Sequence, residues 1–184
     1  MNWLNNILLL LTALLAVFAE SAFDLTRHLL GAQIDVLPAL MVYASLTGDL
    51  VTLAVVTVGG GLCFDALSAN PLGASVLPLF GVGFMIQRRR ALILRDQRAA
   101  QWVLGWLASA SVPALTLLVL LSAGQTPLLG WGTLWQWLVV SATGALLTPT
   151  VFRFFDLVRH TFNYQPATET SFRPDREIRR GRQL

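Results

Sequence analysis

The chain has 184 residues, of which 55% are hydrophobic and 12% charged, with a formal net charge of +3. Charged residues make up about a quarter of an ordinary soluble domain. Here they are half as frequent and confined to a few clusters between long apolar stretches, which excludes a soluble core and points to one polytopic membrane domain. Every basic residue is Arg, so the positive charge is permanent, and its placement concerns membrane orientation. No basic face interleaved with aromatics suggests a nucleic-acid partner.

Trp3 to Ala19 is apolar except for Asn5, Asn6 and Thr12. It lacks the basic start and cleavage site of a signal peptide and reads as a first span anchored by Trp3. Glu20 to Gln33 mixes Phe23, Leu29 and Leu30 with Glu20, Asp24, Arg27 and His28, as an external amphipathic connection does. Asp35 to Leu46 follows. As a helix it is only ~18 Å long, against a hydrocarbon core of ~30 Å. Asp35 suits its cap, and Pro38 is tolerated in the first turn. Gly48-Asp49 is a tight turn.

Leu50 to Leu67 is the third span. It carries Gly59, Gly60 and Gly61 and then one carboxylate, Asp65. The glycines permit close helix approach. Asp65 lies near the far interface, where a carboxylate must face protein, water or a helix end. It reads first as a structural acceptor for N–H groups of the Asn70 turn or the next helix start. Asn70 suits an N-cap and Pro71 a first helical position. Pro71 to Ile86 is the fourth span, with Gly73, Gly81 and Gly83 available for packing. The sole cysteine, Cys63, reads as a small apolar packing residue.

Arg88, Arg89, Arg90, Arg95 and Arg98, opposed only by Asp96, form a basic loop. Trp102 to Ala123 is the fifth span, with Pro113 expected to kink it. A loop, Gly124 to Thr133, leads to a sixth span from Leu134 to about Phe155. Pro149 is expected to kink that span, and Thr148 to satisfy a freed carbonyl beside it. Tyr43 and the tryptophans read as interfacial belt anchors. Residues 1–162 thus form a six-span domain, and 163–184 a polar, Arg-rich tail expected to be disordered. Six spans put both termini on one side, and the positive-inside rule makes that side cytoplasmic for every arginine except Arg27.

No nucleophile has a His and a carboxylate at readable spacing, and the two histidines, His28 and His160, fall on opposite sides of the expected membrane. The expectation is therefore no catalysis, no metal and no cofactor.

Three segments carry a resemblance. Asp35-Val36-Leu37-Pro38-Ala39-Leu40-Met41-Val42-Tyr43, followed by Gly61-Leu62-Cys63-Phe64-Asp65-Ala66-Leu67-Ser68-Ala69-Asn70-Pro71-Leu72-Gly73, resembles the rod shape-determining MreD family, as does Gly144-Ala145-Leu146-Leu147-Thr148-Pro149. The polar tail after Asn163 is longer than that family carries. The resemblance implies an all-α membrane fold of six transmembrane helices, similar to the substrate-binding S-components of energy-coupling-factor transporters, with a short second span. It implies a multi-pass protein of the bacterial inner membrane, with both termini cytoplasmic. Its function would be that of a non-enzymatic scaffold of the elongation complex. The scaffold would pair with MreC, a single-span protein, linking cytoplasmic MreB to peptidoglycan synthases and so helping to regulate wall synthesis and cell shape. Partner docking is expected on Gly59 to Gly61 or on Gly81 and Gly83, and self-association stays open. The S-component likeness suggests an apical pocket around Asp35, Asp65 and Asn70. It also leaves an alternative function, a small-molecule-binding subunit of such a transporter.

Overall fold

The computed structural model describes residues 2–22, 31, 34–68, 70–90, 98–125 and 130–162. Among them are six α-helices and no strand. These are α1 (Asn2–Ala22), α2 (Leu37–Thr47), α3 (Leu50–Leu67), α4 (Val76–Arg88), α5 (Arg98–Ser122) and α6 (Trp131–Phe162). Most of the Glu20–Gln33 connection, the loop with Arg95, the side chain of Arg98 and the tail from Asn163 lie outside the described residues.

Helix α2 is the centre of the bundle. It touches all five other helices, while α1, α3, α4, α5 and α6 contact one another in sequence around it. Leu37 to Leu46 are all buried. The segment is apolar on every side, and a helix without a polar face is stable only when enclosed. Its Ser45 and Thr47 hydroxyls donate to the Val42 and Tyr43 carbonyls at 2.8 Å, so neither needs a partner outside its own helix. Thr57, Thr116, Ser141 and Thr148 bond back to their own helices in the same way.

Tyr43 is not a belt anchor. It is fully buried, stacked on Phe155 at a centroid distance of 4.6 Å and edge-on to Phe152 at 5.0 Å. This aromatic cluster fastens α2 to α6. Such pairs add about 0.5–1.5 kcal/mol each beyond their burial.

Successive helices run in opposite directions. At one end Thr52 donates to Asn6 Oδ1 at 2.6 Å, and Arg90 donates to the Gly48 carbonyl at 3.0 Å. At the other end Glu20 accepts from the Val36 N–H at 2.7 Å, and Asp65 reaches the residues that precede α4. The molecule therefore has an arginine end and a carboxylate end.

Three helices are long and apolar enough to cross a membrane: Leu50–Leu67, Ala99–Ser122 and Trp131–Val158. Over the residues whose side chains are described, Asn6–Ala22, Leu37–Thr47 and Val76–Arg88 are shorter apolar stretches, although α1 as a whole has 21 residues. Large side chains such as Phe18, Leu77, Met85, Leu118 and Leu138 face outward. An apolar exterior on this scale suits a lipid surround. Two span limits shift. The fourth helix starts at Val76 rather than Pro71, and the sixth runs through Pro149 to Phe162 without ending near Phe155. The Thr148 hydroxyl bonds the Gly144 carbonyl at 2.8 Å. Proline removes the bond to the residue four before it, Ala145, so Thr148 does not serve the freed carbonyl.

Candidate functional site

Asp65 organises the carboxylate end. It is 1% exposed, in the last turn of α3, where the negative end of the helix dipole disfavours it. The compensation comes from the next element. Asp65 Oδ2 accepts the Gly73 N–H at 2.8 Å and the Ser75 N–H at 3.1 Å. Ser75 stands at the N-cap of α4 but makes no side-chain cap bond, so the carboxylate of α3 holds the start of α4 instead. Asn70 is therefore not the cap, and Pro71 is not helical. Pro71 to Ala74 form a turn closed by an Ala74 N–H to Pro71 carbonyl bond of 3.1 Å. Gly73 has φ +91°, as a type II turn requires at its third residue. Leu72 projects from the turn, 72% exposed. The Ser68 hydroxyl lies against the Asp65 carbonyl at 3.3 Å, not against the carboxylate.

An acidic pair stands at the start of α2. Asp35 Oδ1 accepts the Leu37 N–H at 2.9 Å and caps the helix from just outside it. Glu20, at the end of α1, lies close enough for like-charge repulsion with Asp35. Burial pushes the Asp35 carboxyl up to about 6, against the opposing pull of the Leu37 N–H.

Between this end of α2 and α3 and the α4–α5–α6 side lies a cavity of about 400 Å³. Its walls are mostly apolar, with Phe64, Leu79, Val112, Pro113, Leu117, Leu120 and Val140 among them. Polar groups come from Asp35, Asn70, Ser75, Thr116, Thr133 and Gln136, with Trp137 beside them. Of the three residues expected around an apical pocket, Asp35 and Asn70 line this space. Asp65 does not; it sits behind Ser75, bonded to the backbone.

Most of the expected docking glycines are occupied by the chain's own helices. A Cβ at Gly59 would meet Leu10 of α1 at 2.5 Å, and one at Gly60 would meet Leu37 of α2 at 2.5 Å. At Gly61 it would press on Val76 at 2.9 Å, and at Gly83 on Leu53 and Met41 at 2.6 and 2.8 Å. Gly81 alone of the five has nothing within 4 Å. Arg88, Arg89 and Arg90 are exposed at the opposite end of the molecule.

Another close approach was legible but missed. Gly105 and Ser109 of α5 face Gly144 and Thr148 of α6, small residues at four-residue spacing on both helices. A Cβ on Gly105 would lie 2.7 Å from the Gly144 carbonyl oxygen. Trp137 ties the same two helices by donating to the Ala110 carbonyl at 2.8 Å.

Compared with known proteins, the chain matches no family model, no curated protein and no solved structure. Among the described residues no cluster of three His, Cys, Asp or Glu side chains could hold a metal ion.

Proposed function

We propose that this chain is a six-span, non-enzymatic scaffold of the MreD type in the bacterial inner membrane, built to hold a single-span partner helix. The observation that carries this reading is the outer face of α4. Leu77, Gly81, Phe84 and Met85 lie on one exposed stripe, and Gly81 offers an unoccupied notch in it. A notch flanked by large apolar side chains suits the close approach of a second membrane helix. The strict alternation of six helices supports six spans. The short α2 would cross as a helix sheathed in protein, which removes the need for a full lipid-matched length. Arg88 to Arg90 at one end support a cytoplasmic assignment for that end and for both termini. MreC would be the partner helix, with MreB and the wall synthases reached through the assembly.

Affinity purification of the tagged chain from native membranes after mild crosslinking tests the reading. The expected product is a single-span protein with an external domain, together with wall synthases, and Gly81→Leu should reduce its recovery several-fold. Undiminished recovery from Gly81→Leu would remove the α4 face from the proposal. Recovery of an ATPase pair with a coupling subunit would favour the transporter alternative, for which the cavity at the carboxylate end is the supporting feature.

A further inference from the structure

We infer that the cavity at the carboxylate end binds a single-chain amphiphile with a protonated amine head, the apolar chain lying between α4, α5 and α6 and the amine meeting Asp35. This ligand is independent of the scaffold reading and needs no transport.

Size sets the first limit. About 400 Å³ lies at the lower end of the range for small-molecule sites, ~300–1,000 Å³. It holds roughly a dozen groups of water size at ~30 Å³ each. A methylene is of similar bulk, so one chain of about that many carbons fills the space and a two-chain lipid does not fit. Surface chemistry sets the second limit. Leu79, Val112, Leu117, Leu120 and Val140 give the body of the cavity an apolar lining, which water fills poorly and hydrocarbon fills well.

Charge sets the third. Among the described residues Asp35 is the only charged one on the lining, and Glu20 brings a second carboxyl beside it. Neither has a cationic side chain against it among the described residues, whose arginine side chains stand at Arg88 to Arg90 and at Arg153 on α6. One Asp35 oxygen is used by the Leu37 N–H. No donor among the described residues is seen on the other. A carboxylate on the wall of an apolar cavity repels an acid and attracts a cation. An ammonium head on a hydrocarbon chain satisfies both halves of the site at once.

The test uses the full-length purified chain in lipid nanodiscs and a dodecylamine carrying a photoactivatable diazirine on its chain. Labelled residues are mapped by mass spectrometry, with and without excess plain dodecylamine. The expected result is displaceable labelling of Val112, Leu117, Leu120 and Val140. The dodecanol analogue of the probe should label these at least tenfold less, and the dodecanoate analogue should not label them. Asp35→Asn, which retains an acceptor for the Leu37 N–H, should lower amine labelling about tenfold, the scale of one charge-assisted hydrogen bond. The head-group series on the unaltered chain stands even if a variant fails to fold. Equal labelling by amine and alcohol would overturn the proposal. So would label found only on outward residues such as Leu118 and Leu138 and not displaced by dodecylamine. Amine labelling that emerged only in Arg27→Gln would overturn it too, since Arg27 would then be the resident counter-charge. Displacement by phosphatidylethanolamine but not by dodecylamine would assign the amine to a two-chain lipid and overturn the single-chain ligand.

Discussion

A single oxygen of Asp65 fixes the corner between α3 and α4 by taking two backbone N–H groups. Asp65→Ala would leave the buried Ser75 N–H and the half-buried Gly73 N–H without this acceptor and should cost about 3–6 kcal/mol, since bonds to a charged group are worth ~1.5–3 kcal/mol each. Asp65→Asn keeps an acceptor of the same shape, so its loss should fall between wild type and Ala. Thermal unfolding in detergent reads the order, and equal losses for both variants would mean that the charge itself matters rather than the acceptor. Asp35 behaves differently. Its carboxyl titrates near 6 in the fold against 3.8 for a free one. Folding therefore takes up a proton between those values, and stability falls as pH rises through that window. Asp35→Asn should unfold at a higher temperature than wild type at pH 7, by the equivalent of about 3 kcal/mol. The advantage should vanish near pH 4, and an advantage that persisted there would refute the titration. The sequence showed that Asp65 needs N–H donors at a turn. It did not show which ones, because Asn70-Pro71 has the chemistry of a helix start and only the packed corner reveals that Ser75 begins the helix without a cap of its own.

Two kinds of helix contact hold the bundle at the level of its elements. Around α2 the contacts are aliphatic and aromatic, and α5 meets α6 through small residues. Gly105 and Gly144 bring α5 and α6 together, so a methyl on Gly105 would press on the Gly144 carbonyl and one on Gly144 on the Ser109 side chain. Gly105→Ala should destabilise the protein by about 1–3 kcal/mol, the usual cost of overpacking. Gly81→Ala, where a Cβ meets open space, should be neutral or slightly stabilising because alanine favours the helix. Losses of equal size at both positions would show that glycine acts through flexibility rather than space. The short length of the α2 segment was legible, and so was its lack of a polar face. Its central place was not, because an uncharged stretch of eleven residues fits lipid and protein equally well until its neighbours are known. Tyr43 illustrates the same ambiguity, since a tyrosine near a span end also suits an interfacial belt.

Across the whole molecule, charge and direction agree. Turns at Gly48-Asp49 and at Asn70 to Ser75 reverse the chain within a few residues, so α2, α3 and α4 must alternate. That much followed from the spacing of polar breaks along the sequence. Helix lengths did not, since among the described residues the second and fourth helices have only 11 and 13 residues. A chain that crosses six times must place Leu72 and Arg89 on opposite faces of the membrane, because α4 separates them. Cys63 is half-buried and can be replaced by Ser to give a cysteine-free background. In that background Leu72→Cys, on the exposed turn, should react with a membrane-impermeant maleimide added to spheroplasts. Arg89→Cys should react only after the membrane is opened. This expected direction rests on the permanent arginine charges at the α4 end, whose outward movement during insertion is opposed. Labelling of both positions from the outside would leave α4 short of a crossing and rule out six spans. Inverted labelling would keep six crossings and place the carboxylate end, with its cavity, in the cytoplasm.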